Sequence, residues 1–280
     1  MIKKKLREIV YYLKSLKDFR LTPRNRKRIA VLCVLAAVII SLISLSVCVS
    51  ISNIKEANAE DQTQEVESQR PEKYMIQNVK VIAMDDLKAG CETYACTMLL
   101  NTLGFNLDEH TFADNYLDCH YVFLDEDGMG GTGPDMYSAF AGTAYAGWGV
   151  YAPSMAKSMN KYLADQKSNL KAYAMENVEL EDLIDQYVVN GVPVMIWATT
   201  YMQEPYVYHT WTVNYVDENA KTKIGDTFSW YMHEHCLVLI GYDKDYYYFG
   251  DSTAGTISHF KKDLVNKRYK QMFMQSIVVK

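Results

Sequence analysis

Residues 233–255 read HEHCLVLIGYDKDYYYFGDSTAG. An apolar run leads into the polar segment 243–245, and a tyrosine-rich run follows and ends at Asp251. Two strand-forming runs joined by a short polar segment predict an antiparallel β-hairpin. Pairing about the centre of the turn brings Asp251 back beside Leu237, within reach of His235 at the head of the first strand. Because a carboxylate that binds one imidazole nitrogen leaves the other nitrogen free to accept a proton, the stretch predicts a catalytic base with its orienting carboxylate.

The paired histidines also raise the question of a metal site. On a strand, His233 and His235 would point to one face and Glu234 to the other. A metal site needs at least a third ligand, and the helical H-E-x-x-H zinc pattern does not occur here. We therefore expect no metal, and we interpret His233 and Glu234 as residues that only flank the base.

The beginning of the chain has the composition of a membrane anchor. Residues 1–28 hold 11 Lys/Arg against Glu8 and Asp18, and residues 29–51 are apolar without a charge. The apolar run is long enough to cross a bilayer as a helix, and the basic segment before it predicts a cytoplasmic N-terminus. The remainder of the chain is then extracellular. The alternative is a secreted protein, cleaved from a signal peptide near Ala59.

The rest of the chain is acidic. Residues 52–72 are polar and predict a flexible tether, and residues 73–280 are long enough for one folded domain. Residues 29–280 together carry 18 Lys/Arg against 32 Asp/Glu. This balance argues against nucleic acid as a partner, because such binding depends on basic residues that neutralise phosphate. The glycine-rich stretch 125–135 lacks the phosphate-loop and dinucleotide patterns, so we expect no cofactor.

Cys91 is the candidate nucleophile. It follows Gly90 at the start of a helix predicted over residues 91–103 and ended by Gly104. The partial positive charge of a helix N-terminus favours a thiolate, so we expect a lowered thiol pKa. The backbone N–H of Cys91, unbonded within the helix, can contribute to an oxyanion hole. The alternative is a small buried residue at a helix start.

The order of the predicted elements indicates an α+β fold in a single domain, with helices first and strands later. The predicted helices, after the one at Cys91, cover residues 108–116, 154–163 and 179–190. A long ordered loop is predicted over residues 125–149. The predicted strands cover residues 75–84, 192–199, 235–242, 246–250 and 272–279.

Four stretches carry a resemblance to a known family. They are GCETYACTMLLNTLGF (90–105), GWGVYAPSMAKSMNKYL (147–163), GVPVMIWAT (191–199) and EHCLVLIGYDKDYYYFGDS (234–252). In this order they resemble the stand-alone bacterial peptidase family C-39-like proteins, relatives of the domains that remove double-glycine leaders from bacteriocins. The resemblance covers roughly residues 75–279. It implies a papain-like cysteine peptidase fold, in which N-terminal helices pack on a C-terminal antiparallel sheet.

The resemblance also assigns roles to three residues. Cys91 is implied to be the nucleophile, His235 the general base and acid, and Asp251 the residue that orients His235. Two features depart from the family pattern. Asp251 is followed by serine instead of proline, and residues 83–88 (AMDDLK) lack the glutamine that commonly donates to the oxyanion. The carboxylates in that segment would repel an oxyanion, so the second oxyanion donor is unknown.

The sequence therefore predicts a membrane-anchored, extracytoplasmic cysteine peptidase that hydrolyses a peptide or isopeptide bond with a Cys-His-Asp triad. Secreted peptides and cell-envelope peptides are the expected substrates. The alternative function, suggested by the missing glutamine, is a catalytically inactive or weakly active binding module at the cell surface. A third option is acyl transfer by the same triad, in which an amine replaces water.

Overall fold

The structure of the protein is a computed structural model that describes residues 70–126, 128 and 130–280. The predicted basic segment 1–28, the predicted membrane helix 29–51 and most of the predicted tether lie outside these residues. Within the described part, no helix is both long enough and apolar enough to cross a bilayer.

The described chain contains five α-helices and fourteen β-strands. The helices are α1 (Cys91–Thr102), α2 (Glu109–Asn115), α3 (Ala152–Asp165), α4 (Leu180–Gln186) and α5 (Lys262–Gln271). The first seven strands are β1 (Tyr74–Met75), β2 (Cys119–His120), β3 (Phe123–Leu124), β4 (Gly131–Pro134), β5 (Phe140–Gly142), β6 (Gly147–Gly149) and β7 (Ala172–Glu176). The others are β8 (Val194–Thr199), β9 (Tyr206–Tyr215), β10 (Thr227–Met232), β11 (Glu234–Tyr242), β12 (Tyr246–Asp251), β13 (Thr256–Lys261) and β14 (Gln275–Val279).

The main sheet is antiparallel and has the strand order β13-β12-β11-β8-β14-β7, with β1 paired to the end of β11. Its central strands β8 and β11 are buried almost throughout, which agrees with their continuous apolar sequences. Helix α1 packs against β11 and β8. Every residue from Cys91 to Leu100 is buried, so α1 is a core helix whose polar residues also face the interior. The expectation of an α+β domain is confirmed.

Two smaller sheets lie beside the main one. The first has the order β10-β9-β4-β3, and the second the order β2-β5-β6. The first is built on the hairpin of β9 and β10, which is rich in aromatic residues. Trp211 of this hairpin is buried and donates through Nε1 to the carbonyl of Pro134 at 2.8 Å. The hairpin is thereby fixed to β4, a strand in the region predicted to be a loop.

The predicted helices 154–163 and 179–190 are confirmed. The first lies within α3, and the second corresponds to α4 followed by the 3₁₀ turn Val188–Asn190. The strand predicted over residues 75–84 is wrong for most of its length, since β1 covers only Tyr74–Met75. The apolar residues after it pack against the core from an irregular segment, and such a segment can show strand-like alternation without pairing.

The loop predicted over residues 125–149 contains the short strands β4, β5 and β6. Its glycines allow close backbone approach. At Gly131, with φ +138°, an added Cβ would lie 1.9 Å from the carbonyl oxygen of Phe123 in the neighbouring strand. Strands β7, β9, β10 and β13 and helix α5 were not predicted. Their sequences mix polar with apolar residues, because each element has at least one solvent-facing side.

Asp135 is a buried carboxylate that joins distant parts of the fold. Its Oδ1 accepts a hydrogen bond from the backbone N–H of Tyr137. Its Oδ2 accepts from the N–H of Lys221 at 2.9 Å and from the N–H and hydroxyl of Thr222 at 2.8 and 2.7 Å. A carboxylate that satisfies four donors in the interior stabilises the loop between β9 and β10.

Replacing this carboxylate by an amide is expected to destabilise the protein. Asp135→Asn turns an NH₂ group toward donors that need an acceptor, and the free energy of unfolding should fall by about 3 kcal/mol. Denaturant titration followed by tryptophan fluorescence measures this change. The exposed Glu218→Gln is the matched control and should leave the free energy of unfolding unchanged. Equal stability of the two variants would contradict the role of Asp135.

Candidate active site

The predicted hairpin brings His235 and Asp251 together. Strands β11 and β12 pair with Val238 opposite Gly250, so Asp251 returns to the level of Leu237. The Nε2–H of His235 donates to Oδ1 of Asp251 at 3.0 Å, and the two side chains are only 2 % and 1 % exposed. The predicted hairpin and its register are confirmed.

The carboxylate of Asp251 is well supplied with donors. Its Oδ2 accepts from the hydroxyl of Ser258 at 2.9 Å, and its Oδ1 also accepts from the N–H of Thr253. Burial acts to raise the pKa of Asp251, but the hydrogen bond and charge of His235 outweigh it, together with the bond from Ser258. The pKa of Asp251 is therefore below its ordinary value. The carboxylate is ionised at neutral pH and holds the imidazole of His235 in one tautomer.

Cys91 is the first residue of α1, as predicted, and follows Gly90. An added Cβ at Gly90 would lie 2.8 Å from Cβ of Leu87, so a larger residue does not fit without a shift of the chain. The Cys91 thiol donates to Oε2 of Glu92 at 3.3 Å. Among the hydrogen bonds of residues 70–280, none joins the Cys91 sulfur to His235.

Two glutamates that sequence reasoning did not select lie beside Cys91. Glu92, on α1, is completely buried, and its Oε1 accepts from the N–H of Val150 at 2.7 Å. Glu234, the first residue of β11, was expected to be a flanking residue, and this expectation is wrong. Its carboxyl oxygen, one from Glu92 and the Cys91 sulfur all lie within 4.8 Å of one another. The adjacency of Glu92 to Cys91, and of Glu234 to His235, was the available sequence signal.

These carboxyl groups and the burial of the sulfur overturn the expectation of a lowered thiol pKa. Burial raises the pKa of the Cys91 thiol well above its ordinary value, and the charges of Glu92 and Glu234 raise it further. The favourable position at the start of α1 does not offset these two effects. In this arrangement the resting thiol is neutral.

Cys91 and His235 share a cavity of about 270 Å³. Its other lining residues are Met84, Lys88, Ala89, Gly147, Trp148, Thr200, Trp230, Glu234 and Thr253. The two tryptophan rings meet edge to face at 5.2 Å, and Nε1 of Trp230 donates to the carbonyl of Trp148 at 2.8 Å. The cavity therefore combines a thiol, an imidazole, a carboxyl group and an aromatic wall. This set of groups suits nucleophilic attack on a carbonyl.

The acidic residues of the segment 83–88 point to other partners. Asp85 accepts a hydrogen bond from the hydroxyl of Tyr94, and Oδ1 of Asp86 binds Nε2 of His110 at 2.7 Å. Neither aspartate lines the cavity, so the expected repulsion of an oxyanion by their carboxylates loses its basis. Lys88 of the same segment does line it.

The two neighbouring histidines do not form a pair on one strand face. His233 precedes β11 with a φ of +72°, and its ring packs against that of Tyr206 at 5.8 Å. The strand alternation assumed for His233 and Glu234 is therefore wrong. The side chains of Cys91, Glu92 and Glu234 lie close enough together to act as metal ligands, and the Cys91 sulfur would be one of the donor atoms.

The fold and the cavity define an α+β domain with a cysteine at a helix N-terminus and a buried His–Asp pair on a neighbouring hairpin. The chain belongs to the Peptidase_C39 like family, whose family model matches residues 72–277. A crystal structure from Bacillus anthracis, assigned as a C39-like peptidase, superimposes with a TM-score of 0.61 at 26 % identity, covering 75 % of this chain and 98 % of that one. The uncharacterized protein YvpB of Bacillus subtilis (strain 168) is 25 % identical over 192 residues, 68 % of each chain. The implied C39-like fold is thus confirmed.

The neutral resting thiol leads to a test with iodoacetamide. The rate of Cys91 alkylation should rise with pH around a midpoint above that of an ordinary thiol. Glu92→Gln keeps an acceptor for Val150 and removes a charge that disfavours the thiolate, so the midpoint should move to lower pH. The exposed Cys119 of the same molecule is the internal control and should be unaffected. A wild-type midpoint below that of a free thiol would show a resting thiolate and contradict this interpretation.

Proposed function

We propose that this C39-like family member is a cysteine peptidase that hydrolyses a peptide or isopeptide bond with Cys91, His235 and Asp251. The observation that carries the proposal is the buried hydrogen bond between His235 and Asp251 at the wall of the cavity that also contains Cys91. Such a bond orients an imidazole as a general base. Membership in the Peptidase_C39 like family supports the same reaction class.

The first step requires the sulfur to leave Glu92. Asp251 occupies Nε2 of His235, so Nδ1 is the nitrogen available to accept a proton. When substrate fills the cavity, the Cys91 side chain turns about its Cα–Cβ bond and passes its proton to Nδ1. The sulfur electron pair then forms a bond to the carbonyl carbon, and the C=O π electrons move to the oxygen. The backbone N–H of Cys91, at the start of α1, donates to this oxyanion.

Collapse of the tetrahedral intermediate restores the carbonyl and breaks the C–N bond. The imidazolium of His235 gives its proton to the leaving amine, and a thioester remains on Cys91. His235 then takes a proton from water, whose oxygen attacks the thioester. Breakage of the C–S bond returns the proton to the sulfur and releases the carboxylic acid.

Lys88 is the best candidate for the second oxyanion donor. It is the one basic residue, apart from His235, that lines the described cavity, and it lies in the segment where relatives commonly carry glutamine. An ammonium group near a developing oxyanion lowers the barrier by charge stabilisation.

Removal of this charge should mainly lower kcat. Lys88→Met keeps the length of the side chain without its charge, and kcat should fall by about 10²-fold, the effect of losing one oxyanion donor. Steady-state kinetics with a cleaved peptide measures the change. The exposed Lys80→Met, outside the cavity, is the matched control. An unchanged kcat in Lys88→Met would exclude Lys88 as the second donor.

We further propose that residues 29–51 anchor the domain at the outer face of the cell membrane and that its substrates are secreted or cell-envelope peptides. The charge-free apolar run and the basic segment before it support this location. Protease accessibility of the domain in intact cells tests it, since a cytoplasmic domain would be protected.

The proposed catalytic roles predict how strongly each substitution lowers peptide hydrolysis. Cys91→Ala should abolish peptide hydrolysis, because Cys91 is the one cysteine that lines the described cavity. His235→Ala should lower kcat/KM by about 10²–10⁴-fold through loss of the general base. Cys119→Ala, at an exposed free cysteine, is the matched control and should keep full activity. Hydrolysis is followed by mass spectrometry of a peptide library incubated with the full chain in detergent.

The second candidate function is a binding module without catalysis. The neutral thiol and the absence of the upstream glutamine favour it. Absence of cleavage by the wild type would replace the peptidase proposal by this one, whereas equal cleavage by Cys91→Ala and the wild type would remove Cys91 as the nucleophile. Acyl transfer is distinguished by its products, since an added amine would then appear joined to the acyl fragment.

A further inference from the structure

The carboxyl groups of Glu92 and Glu234 form a pair beside the Cys91 sulfur. Within the part of the chain that the structure describes, neither residue forms a salt bridge. Glu92 accepts from Val150 and Cys91, whereas the buried Oε1 of Glu234 has no hydrogen-bond partner. An unpaired acceptor in the interior lowers the stability of the fold, so a ligand that donates to this oxygen would be stabilising.

The fold makes room for this pair. At Gly149, which has a φ of +127°, an added Cβ would lie 2.5 Å from Oε1 of Glu92 and 3.0 Å from Oε2 of Glu234. A Cβ at this position would collide with the Glu92 carboxyl group and would lie tightly against that of Glu234. The last residue of β6 is therefore a glycine both for its backbone conformation and for the space that the pair occupies.

The pair lies beside the reacting sulfur and at the wall of the cavity. The carboxyl oxygens are within 4.8 Å of the Cys91 sulfur, and Glu234 lines the cavity together with Trp148 and Trp230. The faces of tryptophan rings attract cations. A carboxyl group and two indole rings around one space form the chemistry that recognises an ammonium or guanidinium group.

The ionisation of the pair is consistent with a missing cation. Burial raises the pKa of Glu92 to about 7, and burial together with the charge of Glu92 raises the pKa of Glu234 well above its ordinary value. The titratable and charged groups around the pair are Cys91 on α1, His235 and Cys236 on β11, Tyr151 before α3, and Lys88. A cation placed between the carboxyl groups would favour their ionised form.

We propose that Glu234, supported by Glu92, binds a cationic nitrogen on the acyl side of the scissile bond and so makes this site selective for substrates that carry one there. The inference rests on the proposed function, because the acyl carbon is the atom that bonds to Cys91. The short distance from the sulfur to the carboxyl groups restricts the cation to the residue that supplies the scissile carbonyl. The cation is either the α-ammonium group of an N-terminal residue or the side chain of lysine or arginine.

Alkylation by amino acid chloromethyl ketones tests the inference without requiring turnover. Two matched pairs of probes are applied to the full chain in detergent: alanyl against acetyl-alanyl, and acetyl-lysyl against acetyl-norleucyl. The second-order rate at Cys91 is read by mass spectrometry. We expect the cationic member of one pair to react at least about tenfold faster than its neutral partner. The pair that shows the difference identifies the source of the nitrogen.

Variants connect this preference to the carboxyl pair. Glu234→Gln should reduce the ratio of the cationic to the neutral alkylation rate to about one, while the neutral probes still react. The exposed Glu218→Gln should preserve this ratio. For the lysyl pair the ratio should increase between pH 6 and 8, because Glu92 loses its proton near pH 7 and lysine stays charged. Ratios near one for both pairs in the wild type would overturn the inference, as would a ratio that survives Glu234→Gln.

The same experiment separates this inference from the peptidase proposal. The full chain could cleave no peptide and still be alkylated faster by the cationic probe, with this preference lost in Glu234→Gln. That result would contradict the proposed peptidase reaction and support the cation-binding site. If peptides are cleaved but the cationic and neutral probes react at equal rates, the peptidase proposal is supported and the proposed selectivity is contradicted.

Discussion

The complete burial of helix α1 is the constraint on which the site depends. Every side chain from Cys91 to Leu100 faces protein, so α1 cannot turn its polar residues to solvent. Cys91 is thereby held at one place at the end of a rigid element, and the residue after it is forced into the interior. Strand β11 packs against this helix and adds His235 and Glu234 at the same level. This packing contact brings the two carboxyl groups and the imidazole to the sulfur.

The site contains two arrangements of carboxyl groups with opposite electrostatics. Asp251 has His235, Ser258 and backbone donors as partners, and its pKa is lowered in spite of burial. Among the described residues, none forms a salt bridge with Glu92 or Glu234, and the pKa values of both carboxyl groups are raised. In the proposed mechanism, the first arrangement prepares the imidazole to accept a proton. The second disfavours the thiolate of Cys91, which limits the reaction of the resting thiol with electrophiles.

Much of the site could be predicted from local sequence. Turn and strand patterns give the hairpin that joins His235 to Asp251, and a glycine before an apolar helical run gives the position of Cys91. The thiol pKa could not be predicted in this way, because it depends on burial and on a carboxyl group 143 positions away in sequence. Glu234 was misjudged for a related reason. The prediction extends strand alternation back to His233, but the positive φ of that residue breaks the regular geometry just before the strand begins.

The hairpin of β9 and β10 could not be predicted from its sequence, which mixes polar with apolar residues. Its buried side is fixed by the hydrogen bond from Trp211 to Pro134, a residue 77 positions away in the sequence.

In the proposed mechanism, the Cys91 sulfur leaves the carboxyl pair and attacks a carbonyl with the help of His235. A peptide aldehyde with a ¹³C-labelled carbonyl, bound to the full chain and observed by NMR, tests it directly. We expect a tetrahedral thiohemiacetal carbon in the wild type that is lost in Cys91→Ala and retained in Cys119→Ala. A resonance that shows only free or hydrated aldehyde in the wild type, or an adduct that persists without the Cys91 sulfur, would contradict it.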